Sequence, residues 1–251
     1  MKGLAGKVAI VTGGGSGLGR EDCIELAREG CTIVAVDRDK MGAAATARQV
    51  SDNGGTALAI KADVSDATSV QAMVKQVLAV HPRIDILVNN AGVVGEMKRV
   101  HEVSEAAWDE VMNVDLKGTF LCSKYVLPTM LNQGRGVIIN IASVSGFLAS
   151  NAAVAYTAAK HGVVGLTKQL AYDYGHDGIR AVGIAPGVIE TPLTKDWTCA
   201  GGPFHQLTME APAGRYGRPI DVARLVCFLA SDEADFMQGH TFPIDGGSII
   251  R

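Results

Sequence analysis

Tyr156 and Lys160 stand four residues apart, a spacing that on a helix places both side chains on one face. A free phenol has a pKa of about 10, too high for a base near neutral pH. An ammonium beside it favours the phenolate. Such a pair can protonate a carbonyl oxygen or take the proton from an alcohol. Alone, the spacing has little weight, because Tyr-x-x-x-Lys also arises on solvated helix faces. Its meaning depends on what else the chain brings to the same place.

The second chemical feature is a glycine loop. Thr12, Gly13, Gly14, Gly15, Ser16, Gly17, Leu18 and Gly19 follow a short apolar run at 8–11 and precede a helical stretch at 20–29. Glycines at a strand-to-helix turn let the backbone approach a pyrophosphate, and the helix presents unpaired N–H groups to it. The spacing is Gly-x-x-x-Gly-x-Gly. No register matches Gly-x-Gly-x-x-Gly, since Leu18 and Arg20 stand where glycine is needed, and the Gly-x-x-x-x-Gly-Lys loop is absent. Asp37 closes the second strand, where an acid can accept bonds from the adenosine ribose and repel a 2′-phosphate. This favours NAD. Ser16 brings no positive charge to a phosphate, whereas Arg38 could, so NADP stays open.

Apolar runs at 8–11, 32–36, 57–60, 84–88, 137–141, 181–184 and 241–244 read as strands. Helical patterns fill 20–29, 41–50, 104–131, 153–174 and 221–230. A further helix is capped by Ser65 or Asp66 and carries Val70, Met73, Val74, Val77 and Leu78 on one face. This alternation predicts an α/β protein: a doubly wound parallel β-sheet with helices on both faces. The stretch 190–218, with Pro192, Pro203 and Pro212, breaks the rhythm and reads as an insertion over the substrate.

With 251 residues, 47% apolar and 20% charged, the chain suits one large domain spanning 1–251. A net charge of −3 without a basic run argues against nucleic acid. Cys23, Cys31, Cys122, Cys199 and Cys227 are odd in number and form no Cys-x-x-Cys, the pattern of reduced thiols in a cytoplasmic protein. The histidines form no ligand pair, so no metal site is expected. No apolar stretch approaches the ~18–20 residues of a membrane span, and the N-terminus does not read as a signal peptide. These features together predict a soluble cytoplasmic enzyme.

The sequence resembles the short-chain dehydrogenase/reductase family, over essentially its whole length and in the right order. Thr12 to Gly19 match that family's glycine loop, Asp37 its acidic NAD position, and Asp63 with Val64 its adenine-contacting pair. Asn89, Asn90, Ala91 and Gly92 match its Asn-Asn-Ala-Gly motif. Asn113 matches the helical catalytic Asn, Ser143 the catalytic Ser thirteen residues before Tyr156, and Pro186-Gly187 the turn after the sixth strand. The resemblance implies a Rossmann-type fold and an NAD(P)-dependent enzyme. Tyr156 would be the acid/base. Lys160 would hold the nicotinamide ribose and lower the tyrosine pKa, and Ser143 would bind the substrate oxygen. Asn113 would place a water in a relay to Lys160. Thr191 would contact the carboxamide, with Val188 and Ile189 approaching the ring through their backbones. It also implies a homotetramer, built through 104–131 and 153–174 with C-terminal contacts near 242–251.

The substrate pocket is expected from 93–97, 144–151 and 190–209, with Val94, Ser145, Phe147, Leu193 and Trp197 as contacts beside Ser143 and Tyr156. Ser145 is the weaker of the two serines on an alternating strand register. Leu193, Trp197, Phe204 and Leu207 suggest an apolar lid. His161, Trp108, Tyr172 and Tyr174 read as structural. No Arg or Lys cluster marks a charged substrate, so a neutral secondary alcohol or ketone, cyclic among the options, is the favoured class. The alternatives are an NADPH-dependent 3-oxoacyl carrier-protein reductase and a non-enzymatic dinucleotide sensor. The first usually has a basic residue where Ser16 stands, and the second has no use for the four catalytic residues.

Overall fold

A computed structural model describes residues 1–149, 152–198, 202 and 204–250. Cys199 and the side chain of Leu207 lie outside the described residues. The chain runs β1 (Val8–Thr12), α1 (Gly17–Arg28), β2 (Thr32–Asp37), α2 (Lys40–Asp52), β3 (Thr56–Lys61), α3 (Ala67–Val80) and β4 (Ile86–Asn89). It continues through α4 (Glu105–Val111), α5 (Gly118–Gln133), β5 (Gly136–Ile141), α6 (Val154–Tyr174) and β6 (Ile179–Pro186). Then come α7 (Lys195–Thr198), α8 (His205–Met209), α9 (Pro219–Ala230) and β7 (Thr241–Ile244).

The strands form one seven-stranded sheet in the order β3-β2-β1-β4-β5-β6-β7, and every pairing is parallel. β1, β4 and β5 are buried at every position, which is why they read as unbroken apolar runs. Successive side chains point to opposite faces. Val11, Ile33, Ile139 and Ile184 therefore join one core with Leu26 of α1 and Val226 of α9. Ile10, Val34, Leu87 and Ile138 join the other with Met73 of α3 and Leu121 of α5. The chain builds outward from β1 to β3, then returns to start β4 on β1's other side. That reversal opens a crevice at the carboxyl ends of the strands.

Several boundaries differ from the sequence expectation, each for a local reason. Asp66, not Ser65, caps α3: its carboxylate accepts from Thr68 N (3.0 Å) and Ser69 N (3.2 Å). β4 begins at Ile86 rather than 84, because Ile84 N donates to the Gln133 side chain and the Asp85 carboxylate accepts from Val8 N. α1 starts within the glycine loop, three residues earlier than the apolar pattern suggests. The region 104–131 is not one uniform helix. A π-helical segment, Met112–Lys117, separates α4 from α5.

Among its described residues, the segment between β6 and α9 contains the short helices α7 and α8, and a parallel bridge between Ile189 and Gly217 pins its ends together. Cys23, Cys31, Cys122 and Cys227 are free and buried. Tyr174 packs against the second core, but Tyr172, expected to pack, is 84% exposed. No described helix is long and apolar enough to cross a membrane.

Candidate active site

A cavity of about 520 Å³ occupies the crevice. Val36, Asp37, Arg38, Asp63, Val64 and Ser65 wall one end. Gly13, Ser16, Gly17 and Leu18 flank its middle, with Asn90, Ala91 and Gly92 from the end of β4. Ser143, Tyr156, Lys160, Pro186, Gly187 and Thr191 wall the other end. The strand ends bring these groups together from across the chain.

The end walled by Asp37 is held by backbone hydrogen bonds. Asp37 Oδ2 accepts from Gly15 N (2.9 Å) and Oδ1 from Asp39 N (2.8 Å), so the carboxylate has a fixed direction. A Cβ on Gly15 would lie 2.7 Å from Asp37 Oδ2, so glycine is what allows this contact. Gly15 supports the wall from behind rather than lining it. Gly19 likewise lies behind the surface, packed on the Gly13 carbonyl. Asp63 accepts from Ser65 N and Oγ, and these bonds hold its carboxyl below the usual range. Asn90 joins two strand ends: its N donates to Thr12 Oγ1 (3.0 Å) and its Nδ2 to Thr12 O (2.9 Å).

The middle of the cavity fits a pyrophosphate. Ser16 makes no side-chain cap on α1, and the first turn of α1 holds no acidic residue. The leading N–H groups of a twelve-residue helix are thus left for an anion beside a glycine wall. With Asp37 at one end and Tyr156 and Lys160 at the other, the residues present fit a nicotinamide dinucleotide.

At the far end, Lys160 is 4% exposed. Its Nζ donates to Ile141 O (3.0 Å), lies 5.3 Å from the centre of the Tyr156 ring, and pairs with Asp115 Oδ2 at 3.2 Å. Burial pulls the ammonium down, but the Asp115 carboxylate, helped by Tyr156, outweighs it and holds the Lys160 pKa above the usual lysine value. Asp115 is completely buried, and its Oδ1 accepts from Val93 N at 2.8 Å. Burial raises its carboxyl pKa against the opposing pull of Lys160. Sequence reasoning missed Asp115. Asn113 lines the cavity, but the side chain from this segment that faces Lys160 is Asp115. The available signal was an acid two residues after Asn113, in a helix whose other buried positions are mostly apolar.

The expected substrate contacts divide. Ser143 is 8% exposed and lines the cavity, as do Val93 and Leu193. Val94, Ser145, Phe147 and Trp197 are not on that wall. Ser145 is not on a strand at all. It sits in a 3₁₀ turn, Val144–Gly146, where its N donates to Ser143 Oγ (3.1 Å), so it braces Ser143. Trp197 packs edge-on against Phe204, ring centres 5.9 Å apart. Phe147 is 43% exposed. Ile189 lines the cavity, whereas the Val188 carbonyl accepts from Gly217 N. Thr191 lines it too and is braced by Thr194, whose Oγ1 accepts from Thr191 N (3.0 Å). His161 Nδ1 lies 2.9 Å from Thr157 O, away from the cavity.

Known proteins resemble this chain along most of its length. The family profile described as enoyl-(acyl carrier protein) reductase matches residues 13–248. Cyclohexanol dehydrogenase from Acinetobacter sp. (strain SE19) is 36% identical over 240 residues, covering 96% of this chain and 94% of the relative. The 3-oxoacyl-[acyl-carrier-protein] reductase of Thermotoga maritima is 36% identical over 247 residues, covering 98% and 99%. A solved structure from Beutenbergia cavernae with NADP bound at low occupancy superposes with a TM-score of 0.93 at 36% identity, covering 99% of this chain and 98% of that one. The chain belongs to the short-chain dehydrogenase/reductase family and is an NAD(P)-dependent oxidoreductase acting on CH–OH groups.

Proposed function

We propose that this enzyme oxidises neutral secondary alcohols, or reduces the matching ketones, with a preference for NAD over NADP. The observation that carries this reading is the convergence of Ser143, Tyr156 and Lys160 at one end of a cavity whose other end presents Asp37. The dinucleotide, when bound, supplies or accepts the hydride. Tyr156 gives its proton to the carbonyl oxygen in reduction and takes it back in oxidation. The Ser143 hydroxyl donates to the same oxygen, and its own position is fixed by Ser145 N. Lys160 keeps a positive charge beside the phenol, which favours release of the proton. Asn113, on the same wall, is placed to hold a water of the relay.

Asp37 supports NAD, since its carboxylate meets the ribose hydroxyls and repels a 2′-phosphate. A cyclic substrate is supported by the cyclohexanol dehydrogenase relative, and by Val93 and Leu193 at the substrate end. The Thermotoga relative favours a second reading, a 3-oxoacyl carrier-protein reductase, but Ser16 gives the glycine loop no cation for NADPH. The unit is one catalytic domain, 1–251, with 190–218 as a lid. It works as a cytoplasmic homotetramer, a reading supported by its free buried thiols and by exposed Phe120 and Tyr172 on α5 and α6.

A kinetic panel of cyclic and open-chain alcohols and ketones, with NAD(H) and NADP(H) in parallel, tests the proposal. The expected outcome is turnover of neutral secondary alcohols, faster with NAD. Turnover of acyl thioesters alone, with NADPH, would establish the second reading instead. Tyr156→Phe is expected to lower kcat/KM by roughly 10²–10⁴, the usual worth of general acid–base catalysis. Unchanged turnover in that variant would remove Tyr156 from the mechanism.

A further inference from the structure

The π-helical segment Met112–Lys117 interrupts what is otherwise one long helix, and such interruptions recur at functional sites. It carries an acid into the interior. Asp115 is fully buried and held from two sides: Oδ1 takes the Val93 N–H at 2.8 Å, and Oδ2 faces Lys160 Nζ at 3.2 Å. Oδ2 has no hydrogen bond of good geometry, so its contact is the ion pair. Gly92 makes room for it, since a Cβ there would lie 2.9 Å from Asp115 Oδ2 and 3.5 Å from Lys160 Nζ.

We propose that Asp115 is a positioning residue for the proton-transfer pair, its carboxylate holding the Lys160 ammonium in place and setting the pH at which the pair releases a proton. This rests on the reading of Tyr156 and Lys160 given above. The surroundings are otherwise sparse in charge. α6 contributes Tyr156 and Lys160, with His161 turned to Thr157 O. β5 contributes the Ile141 carbonyl, and the segment after β4 the Val93 N–H. α4 contributes Glu110 on the cavity wall, and the π segment adds exposed Lys117.

With Asp115 and Lys160 both charged, the cluster is neutral while Tyr156 is protonated. Loss of one proton, from the phenol or the ammonium, leaves a net negative charge in a buried site, which the carboxylate opposes. Removing that carboxylate eases the loss whichever group releases the proton. Asp115→Asn keeps an oxygen for Val93 N and removes only the charge.

The test is the pH profile of kcat/KM for alcohol oxidation. Its acid limb requires the deprotonated pair. In Asp115→Asn that limb is expected to move to lower pH by on the order of one unit, the size of effect a charge within ~4–6 Å produces. A phenolate absorbance titration of the cofactor-free protein, read against Tyr156→Phe, should move the same way. Asp115→Ser, also uncharged, is the second variant should the first fail to fold. Superimposable profiles for wild type and the uncharged variants would reduce Asp115 to a structural residue. An active Tyr156→Phe would overturn the proton-transfer reading itself. An inactive Tyr156→Phe with an unmoved limb in Asp115→Asn would overturn only the role of Asp115.

Discussion

At the scale of single residues, the proposed preference for NAD rests on the fixed direction of Asp37. Both of its oxygens are tied to backbone N–H groups, of Gly15 and Asp39, so its charge cannot swing aside for a 2′-phosphate. Asp37→Ser should lower kcat/KM with NAD and raise it with NADP. The ratio between the two cofactors should fall by about tenfold or more, since each 1.4 kcal/mol of differential binding is a factor of ten. An unchanged ratio in paired assays would place cofactor choice elsewhere. Asp37, Tyr156 and Lys160 stood out by type and position and Ser143 by the family resemblance, and the fold brings all four to one cavity. Asp115 did not stand out, because a buried ion pair is a relation between α6 and the π segment, 45 positions apart in sequence, and neither segment encodes the other's position.

At the scale of elements, the strands were read well and the helix interruptions poorly. Burial on both faces forces apolar runs on β1, β4 and β5, and those runs are visible in the letters. A π turn leaves no such mark, since it changes the hydrogen-bond partner and not the residue types. α1 carries a cost that the sequence does not single out, since Asp22 is one of three acids in it, with Glu21 and Glu25. Asp22 is fully buried, neither carboxylate oxygen has a hydrogen bond, and burial pushes its carboxyl well above the usual range. A carboxyl with a raised folded pKa imposes no penalty below the unfolded value of about 3.9 and a growing one above it, about 1.4 kcal/mol for each pH unit until its folded pKa is reached. Asp22→Leu should therefore raise the Tm, and raise it more at about pH 7 than at about pH 5, in thermal unfolding followed by circular dichroism. An equal gain at both values would mean that Asp22 is not protonated in the fold.

At the scale of the whole molecule, the order of the strands decides the chemistry. Because β4 returns beside β1, Asn90 can bond to Thr12 across 78 positions of sequence, and the glycine loop comes to face the end of β5. The outer surface of α5 and α6 leaves Phe120 46% and Tyr172 84% exposed, large apolar rings that a second copy would cover. Light scattering should give four times the 26.2 kDa of one chain. Tyr172→Glu with Phe120→Glu should dissociate the assembly while leaving the fold intact by circular dichroism. A monomeric wild type would refute the tetramer.

The sequence by itself determined the kind of fold, and it pointed to the glycine loop, to Asp37 at the end of the second strand and to the Tyr156–Lys160 spacing. Each is a short-range pattern, written in periodicity or in spacing along one segment. Only the tertiary structure decided which side chains lie against those residues. Asp115 meets Lys160, Ser145 braces Ser143 instead of lining the cavity, and Trp197 turns onto Phe204. These are contacts between segments far apart in the chain, or turns whose geometry depends on such packing, and local sequence preferences do not specify which partner lies across the gap.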